Sequence, residues 1–562
     1  MQHSISRGEV LLSWILISFV FVGVSLLSVP VPGVNEPHYL SKARFYFDPQ
    51  WCQRDFFLQS GNAHEVFYRI IGPLAARCSL SFTAIVGRIV SLALLAGGWC
   101  VLGRRFGLTP AGLISSGCLF CLIAMTGSFS GEWIVGGFES KVPAYGCSLA
   151  GVAFWLAPGR TQNNRTCLAA GVLIGIAIAW HPVVGMWFCI GIAISETAIR
   201  AFRRLSNSER TDSESSGVTQ PAVFLITALV AGLPGLVPAV RLVVTSETSP
   251  ADQQKANFIQ VFWRLAHHLD PSTFPLAAWI HSGLLCVILT GCLLWMRKHN
   301  RQGQPSQTEA VGNVDSVWRS WLTLLLTSLL TAVVGVAIAW HRIPAIEMPD
   351  WQWRAALLKF YPFRFFDSLL PISTALAASA AVFRVRSRGG NTGAFLLVIG
   401  TLLAAGMTRP SAPVGWTAEQ FVTWQEACDW LKQNTPADSL VYGPRESFGL
   451  KWYAERAEYV CIKDCPQDAA GILEWDRRLW AVYRWSAAAF SDEQFSRSDL
   501  RRLRQQTGIT HLVTRSLGPF EQEPVWSNQV WRIYELPAAD SAQAKSSEPS
   551  ISVVRIQRPR RD

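Results

Sequence analysis

The feature that most constrains this chain is a series of apolar runs, each close to the length needed to cross a bilayer. The first run covers about residues 10–29, with Arg7 before it and Pro30-Val31-Pro32 after it. A helix needs roughly 20 apolar residues to span the hydrocarbon core. No small-residue cleavage site follows the run, so we interpret it as a retained membrane-spanning helix and not as a signal peptide.

Further runs of the same character predict a helical polytopic membrane protein with about 11 transmembrane helices. Hydrophobic residues make up 50% of the 562 residues and charged residues only 16%, which excludes an ordinary soluble multidomain protein. Pro182 interrupts residues 167–198, so that stretch forms either two spans or one span and a re-entrant segment. The remaining candidate spans cover about 82–102, 110–127, 142–157, 167–181, 183–198, 221–244, 273–296, 318–340, 362–383 and 393–408.

The net charge of +11 is distributed in a way that sets membrane topology and does not indicate nucleic-acid binding. Basic residues concentrate in alternate short loops, and acidic residues concentrate in the loops between them. Because positively charged loops stay in the cytoplasm, this pattern predicts an inner-membrane protein with a cytoplasmic N-terminus and an extracytoplasmic C-terminal region. The basic positions are Arg104, Arg105, Arg160, Arg165, Arg200, Arg203, Arg204, Arg297, Lys298, Arg301, Arg384, Arg386 and Arg388.

The composition changes after Met407, and this divides the predicted chain into three parts. Residues 1–408 form the multi-span membrane domain, with a structured first loop at 30–81. Residues 409–537 form an extracytoplasmic α/β domain, and residues 538–562 form a disordered basic tail. Cys461 and Cys465 could form a disulfide there, although the spacing alone does not decide the pairing. The predicted elements are helices at Glu419–Gln433, Ile472–Ala487 and Ser498–Gln506, and strands at Ser439–Tyr442, Tyr459–Ile462, Ile509–Thr514 and Val530–Leu536.

The first loop carries the leading candidates for chemistry. Glu36 follows the first span closely and adjoins Pro37, which stiffens the backbone. A carboxylate beside a bilayer can act as a general base on a hydroxyl group or can bind a metal. Asp55 is a further acid of this loop, and Tyr39 is a polar aromatic neighbour of Glu36. The alternative is that Glu36 is a solvated loop acid with no catalytic role.

Three further outer segments hold ionisable residues. The second loop, residues 128–141, places Glu139 and Lys141 after glycines that allow close approach to a ligand, or it is a flexible turn. Arg364 lies at the start of a span, where its guanidinium suits a phosphate or carboxylate, or it pairs with Asp367. His181 ends another span, and a satisfied interfacial histidine is the simpler interpretation of it.

One heptapeptide occurs almost twice, as Gly175–His181 and as Gly335–His341. Both copies end a predicted span at the outer face. Internal duplication is typical of transporters, so a transporter or lipid flippase is one alternative function. The small residues and the terminal Trp of this segment are also common in unrelated membrane helices. A third alternative is a non-catalytic membrane protein whose external domain binds a partner.

The order of parts resembles the GT-C superfamily of integral membrane glycosyltransferases, which use polyprenyl-phosphate-linked sugars. The similarity covers one span, a long acidic loop, many further spans and an external C-terminal domain. Many of these enzymes have Asp-Glu followed by Tyr in the first loop. Here Asn35-Glu36-Pro37-His38-Tyr39 keeps the Glu and the Tyr but has Asn in place of Asp.

The resemblance implies transfer of a sugar from a polyprenyl-phosphate donor in the membrane to an acceptor at the outer face. In it, Glu36 is the expected base, with Glu139 and Asp55 as second-choice acids. The metal requirement is unknown, and a divalent cation remains an open option. The expected substrate-binding residues are Tyr39, His38, Lys141, Arg364 and His181. The C-terminal part resembles external domains of uncharacterised bacterial polytopic proteins, through Trp430-Leu431-Lys432-Gln433-Asn434-Thr435-Pro436 and Trp475-Asp476-Arg477-Arg478.

Overall fold

A computed structural model describes most of the chain. The predicted basic tail lies outside the described residues, except for its first residue, 538. The described residues are 6–157, 163–205, 219–244, 248–302, 308–383, 388–490 and 493–538.

The chain up to residue 407 is almost entirely helical, and each predicted apolar run coincides with one helix. Pro182 starts a new helix, so the interrupted stretch forms two helices with His181 between them. The helices are α1 Arg7–Ser28, α2 Glu36–Phe47, α3 Phe56–Gln59, α4 Glu65–Arg77, α5 Leu80–Arg105, α6 Pro110–Thr126, α7 Lys141–Trp155, α8 Asn164–Trp180, α9 Pro182–Leu205, α10 Thr219–Val244, α11 Pro250–Phe258, α12 Ala266–Leu269, α13 Leu276–Gln302, α14 Thr308–Ala339, α15 Trp351–Leu358, α16 Arg364–Phe383 and α17 Arg388–Met407.

Among the described residues, eight of these helices are long and apolar enough to cross a membrane: α1, α5, α9, α10, α13, α14, α16 and α17. The shorter apolar helices α6 and α8 lie in the same bundle, and α7 packs between α5 and α8. Helix α16 lies inside the bundle, where 83% of its apolar stretch is buried. The protein is therefore a polytopic helical membrane protein, as the sequence predicts.

The C-terminal part forms a small α/β unit. Its elements are α18 Ala418–Asn434, β1 Leu440–Tyr442, α19 Leu450–Ala454, β2 Ala457–Glu458, α20 Ala469–Ala489, α21 Arg497–Thr507, β3 His511–Thr514, β4 Trp526–Ser527 and β5 Arg532–Glu535. Strand β1 lies parallel to β2 and β3, whereas β3 and β4 lie antiparallel to β5, in the order β2-β1-β3-β5-β4. The predicted strand at Tyr459–Ile462 is wrong, because the strand that pairs with β1 is β2, which lies just before it in sequence.

The first loop folds into helices α2, α3 and α4 and packs against the C-terminal unit. One continuous apolar cluster contains Leu40 and Phe57 of the first loop together with Trp452 and Trp475 of the unit. Helices α2 and α4 pack against each other within this loop. We call this end of the bundle the loop end. Its packed apolar cluster can hold neighbouring polar groups in fixed positions.

Candidate functional site

Glu36, the first residue of α2, forms a buried ion pair with Arg88. Its carboxylate accepts hydrogen bonds from Arg88 Nε at 2.7 Å and Arg88 Nη2 at 2.8 Å, and both side chains are 0% exposed. Backbone N–H groups of Gly33 and Phe138 also donate to it, at 2.6 and 2.7 Å. Arg88 is the charged residue in the interior of α5, and Glu36 is its counter-ion. A fully engaged, buried carboxylate is badly placed to meet an acceptor.

Asp367 of α16 holds the second loop at the loop end. Its carboxylate accepts the backbone N–H groups of Phe129, Ser130 and Glu132 at 2.6, 2.8 and 2.9 Å. The Ser130 hydroxyl donates to it as well, at 3.0 Å. A buried carboxylate with four donors is a strong local anchor. Asp367 thus positions the second loop. The pairing of Arg364 with Asp367, one of the two interpretations of the sequence, is wrong.

A polar cavity of about 340 Å³ opens at the loop end. Its walls come from the first and second loops, the starts or ends of several spans, the segment before α13 and the C-terminal unit. Seven chain segments that lie far apart in sequence therefore meet around one space. The polar and charged residues that line it are Asn35, His38, Tyr39, His64, Glu132, Glu139, Lys141, His181, Gln253, Asn257, Gln260, Arg264, His267, His268, Lys359, Tyr361, Arg364, Lys463 and Gln467.

Part of this cavity is a chain of paired charges. Arg364 Nε lies 2.7 Å from Glu132 Oε2, and Lys141 Nζ lies 3.2 Å from Glu132 Oε1. Lys141 also lies 3.7 Å from Glu139, which accepts a hydrogen bond from Asn35 Nδ2 at 2.6 Å. Burial raises the pKa of Glu139, although Lys141 and Asn35 oppose the shift. Glu139 thus has a partner on each carboxylate oxygen, whereas Glu132 lies within ion-pair distance of a cation on each oxygen but accepts no hydrogen bond at Oε1.

Three further cations have no carboxylate partner among the described residues: Arg264, Lys359 and Lys463. Arg264 ends a π-helical turn, Ile259–Arg264, an irregular element often found at functional sites. Its Nη2 donates to the carbonyl of Lys463 at 3.0 Å, while Nε is buried without a partner there. Burial, with Arg264 nearby, lowers the pKa of Lys463 to about 8, and its amine donates to Asn35 Oδ1.

Histidines form a second group around the cavity. The rings of His64 and His181 lie 4.6 Å apart, and Tyr39 lies 5.5 Å from His64. Burial lowers the pKa of His64 to about 3, so this ring is neutral at physiological pH. His38 Nδ1 lies 2.9 Å from Asp464 Oδ1, which joins the first loop to the C-terminal unit.

Asp55 belongs to a buried cluster below the cavity. Lys451 Nζ lies 3.1 Å from Asp55, 3.2 Å from Glu458 and 2.6 Å from Asp464. Burial opposes the charge on Lys451, but the three carboxylates outweigh it and hold the pKa of the amine well above its ordinary value. Asp55 also caps α3 by accepting from Leu58 N–H at 3.0 Å. These contacts make Asp55 a structural residue of the interface.

The donors for a divalent cation gather in two places, and each already holds a lysine. Glu458, Cys461 and Asp464 are the one group of three such donors found among the described residues, and Lys451 lies against two of them. In the cavity, Lys141 lies between Glu132 and Glu139. An ammonium thus takes the place of a metal in both groups, so these residues do not fit a resident metal ion.

The predicted site residues divide into two sets. Glu139, His38, Tyr39, Lys141, Arg364 and His181 line the cavity, whereas Glu36 and Asp55 lie outside it. Sequence reasoning missed Arg264 and Lys463, which carry no local signal apart from their charge. It also proposed a Cys461–Cys465 disulfide, but both cysteines are free. Cys465 instead lines the cavity, and burial raises the pKa of its thiol to about 12.

An apolar groove of about 810 Å³ lies beside the polar cavity. It is lined by apolar side chains of α9, α10, α14 and α15, among them Met186, Val240 and Val334. The residues that line both spaces are Pro182, Val183, Ala239, Val243 and Phe360. The two spaces therefore share a wall between the polar loop end and the membrane-spanning part.

Comparisons with known proteins give limited similarity. Residues 422–482 match a family model described as a domain of unknown function, DUF6798. Comparison with curated proteins finds no matching sequence. The oligosaccharyltransferase AglB of Archaeoglobus fulgidus, solved with an inhibitory peptide and a dolichol-phosphate, is 12% identical with a TM-score of 0.42, covering 90% of this chain and 69% of that one.

A second structure of the Archaeoglobus fulgidus oligosaccharyltransferase, solved with Zn and sulfate, is 11% identical. Its TM-score is also 0.42, with coverage of 89% of this chain and 67% of that chain. At this level of similarity neither structure assigns a donor, an acceptor or a site residue to this chain.

Proposed function

We propose that this protein is a membrane glycosyltransferase that moves a sugar from a polyprenyl-phosphate donor to an acceptor. In this proposal the loop end faces the outside of the inner membrane and the N-terminus is cytoplasmic, following the charge of the loops. One observation carries the proposal: a cation-rich polar cavity shares a wall with a large apolar groove between the spans. A lipid with a phosphate head group and a long apolar tail matches both spaces.

The charge of the cavity supports an anionic ligand. Five lysines and arginines line it against two glutamates, a surplus of three positive charges. Arg264 and Lys463 are free of carboxylate partners among the described residues, and burial increases the energetic need for a counter-ion. A phosphate between them would supply that counter-ion. Arginine is well suited to this role because its planar guanidinium can donate two hydrogen bonds to one phosphate.

The same cations would promote sugar transfer. When the bond between the anomeric carbon and the phosphate oxygen breaks, negative charge grows on the departing lipid phosphate. Fixed cations in a partly enclosed cavity stabilise that charge without reorganising. Arg364 and Lys141 are held in place by Glu132 and Glu139, so they form the rigid part of this cation set. The two glutamates thereby serve as supports and as acceptors for sugar hydroxyls.

The flippase alternative shares the amphiphilic ligand but needs a polar path through the bundle. Here the ionisable lining lies at the loop end, and the central helix α16 presents Phe365, Leu369 and Leu370 as buried apolar side chains. The pairing of Glu36 with Arg88 also removes the main charge within a span from any transport role. The position of the polar cavity therefore favours chemistry at one membrane face.

The test uses the full chain reconstituted in nanodiscs and measures binding of undecaprenyl phosphate. Arg264→Gln and Lys463→Gln should each weaken binding about 10- to 100-fold, since each removes a hydrogen bond to a charged group. Arg477→Gln is the matched control, because Arg477 is exposed and pairs with Glu474 away from the cavity. Val334→Trp should also weaken binding by filling the groove, whereas Val287→Trp on the lipid-facing surface of α13 should not.

Transfer is then measured with radiolabelled undecaprenyl-phosphate-linked hexoses and pentoses in liposomes. Release or transfer of the sugar, lost in Arg264→Gln, is the expected result. Failure of the wild-type protein to bind undecaprenyl phosphate would overturn the proposal. Binding accompanied by movement of the lipid across the bilayer, without sugar release, would establish the flippase alternative instead.

A further inference from the structure

We propose that His38 is the proton acceptor of this site and that Asp464, reaching up from the C-terminal unit, fixes its orientation. The proposal rests on the proposed glycosyl transfer, and it replaces the carboxylate base that the first loop suggests. His38 lies in the first turn of α2 and lines the polar cavity. Its Nδ1 lies 2.9 Å from Asp464 Oδ1.

The partner of Nδ1 determines which ring nitrogen is free. Burial opposes ionisation of Asp464, but Lys451 and His38 outweigh it and hold the pKa of that carboxyl far below its ordinary value. An ionised carboxylate only accepts hydrogen bonds, so Nδ1 must carry the proton. In a neutral ring the lone pair is then on Nε2, and no hydrogen bond to Nε2 is found within the described part of the chain. His38 therefore offers the cavity a basic nitrogen of defined tautomer.

The surroundings keep the ring fixed and uncharged. His38 packs against Phe57 at 4.3 Å between ring centroids and edge-on against Tyr39 at 5.4 Å. Burial lowers the pKa of His38, and Lys463 and Lys42 add to the effect, while Asp464 opposes it. His64, which is neutral, and Tyr39, whose pKa burial raises well above its ordinary value, also face it. A neutral, oriented imidazole is the form that a general base requires at physiological pH.

The carboxylates of the cavity are less suited to this task. Glu132 is bound by Arg364 and Lys141, and Glu139 by Asn35 and Lys141. A carboxylate whose two oxygens already lie against donors has fewer free lone pairs for a further proton, even at Glu139, where burial raises the pKa. His38 differs because Asp464 is hydrogen-bonded to Nδ1, which leaves Nε2 as the proton acceptor. The arrangement of a carboxylate, an imidazole and an acceptor hydroxyl is the one that activates nucleophiles in other hydrolases and transferases.

The acceptor oxygen forms a bond to the anomeric carbon of the sugar, and its proton moves to His38 Nε2. The bond between the anomeric carbon and the phosphate oxygen breaks, and its electron pair stays on the lipid phosphate. Arg264, Lys463 and Arg364 lie around the same cavity to balance that charge. With no other acceptor present, water serves and free sugar is released.

The chain supplies a matched control. His341 forms a second His–Asp pair, with Nε2 3.1 Å from Asp270 Oδ2, and neither residue lines the cavity. Both its ring nitrogens are engaged, because Nδ1 lies within hydrogen-bonding distance of the Ile343 carbonyl at 2.6 Å. Substitutions at this pair test whether any buried His–Asp pair is needed for folding alone.

The first experiment measures sugar release from the undecaprenyl-phosphate-linked sugar that the wild-type protein turns over in liposomes. His38→Ala should lower kcat about 100- to 10,000-fold while changing the Kd for undecaprenyl phosphate less than about threefold. Added imidazole should restore at least part of the lost rate. Because burial lowers the pKa of His38, the wild-type rate should fall only at a pH below the ordinary imidazole pKa, where the ring gains its proton, and His38→Ala should lose that limb. Asp464→Asn should lower kcat as well, because Asn can hold the wrong tautomer.

The second experiment does not depend on the sugar. Diethyl pyrocarbonate should modify His38 at Nε2, undecaprenyl phosphate should protect it, and His341 should react slowly. Three results overturn the inference: unchanged release in His38→Ala, equal losses in His341→Ala, or reaction of His38 without protection by the lipid. These differ from failure of the proposed function, in which the wild-type protein neither binds undecaprenyl phosphate nor releases sugar.

Discussion

Glu36→Gln separates a structural role from a catalytic role at the residue that the sequence favours most. The substitution keeps the size of the side chain and removes its charge. In the structure, the Glu36 carboxylate receives four donors: two from Arg88 and one each from the N–H groups of Gly33 and Phe138. An amide can accept on one side only, so its NH₂ group would face either Gly33 and Arg88 or Phe138 and Arg88.

The expected cost follows from the burial of the pair. Both side chains are 0% exposed, and removing one partner of such a pair typically costs about 3–5 kcal/mol because the other charge stays buried. Arg88 retains some compensation, since it also donates to the carbonyls of Val29 and Pro30 at 2.8 and 2.7 Å. We therefore expect a loss at the lower end, about 3 kcal/mol.

The assay is unfolding of the full chain by sodium dodecyl sulfate in mixed micelles, followed by tryptophan fluorescence. Arg88→Met should destabilise the protein as well, and the double variant should cost less than the sum of the two single variants. Glu446→Gln, the same substitution at a glutamate that is 65% exposed, should leave stability within about 1 kcal/mol. A Glu36→Gln protein of full stability that binds undecaprenyl phosphate but releases no sugar would refute this reasoning and return Glu36 to the catalytic role.

Three further outcomes test the electrostatics of the loop end. Affinity for undecaprenyl phosphate should fall as pH rises through about 8, where Lys463 loses its proton, and Lys463→Arg should abolish that fall; the same pH dependence in Lys463→Arg would refute the assignment. Asp367→Asn should speed amide exchange at Phe129, Ser130 and Glu132 about 10- to 100-fold, measured by mass spectrometry, and unchanged exchange would contradict the anchoring role. Lys451→Met should lower the free energy of unfolding by about 3–5 kcal/mol in the same assay. Added Zn²⁺ should recover part of that loss if Glu458, Cys461 and Asp464 then bind the ion. A variant of unchanged stability would show that the cluster does not stabilise the fold.

The membrane spans could be predicted from the sequence because they follow from one local property. A run of about 20 apolar residues has few ways to be satisfied in lipid other than as a helix. The helices of the C-terminal unit followed from their amphipathic period, as at Glu419–Gln433 in α18. The sequence placed β2 too late because its position depends on pairing with β1, whose partner residues lie 17 positions away in sequence.

The site was harder to predict because the role of each residue depends on a partner that is distant in sequence. The sequence suggests Glu36 as a base because it does not reveal the partner of Glu36. That partner, Arg88, lies 52 residues away. The signal that could have paired them was present, since a charge within a span requires a counter-charge of its own. His38 has no such signal. Its partner Asp464 is 426 residues away and follows from the docking of the C-terminal unit alone.

That docking also decides how the C-terminal unit can be studied. The apolar cluster shared with the first loop crosses the change in composition near residue 409, and the Trp263 and Trp475 rings meet at 5.0 Å across it. Asp55 supplies one of the three carboxylates on Lys451 and accepts the backbone N–H of Glu458 at 2.9 Å. Excising residues 409–537 would therefore expose this apolar face and leave that N–H group unpaired. Because His38 and Lys463 reach the cavity through the same interface, a binding test of the unit alone would lack half of the site it is meant to probe.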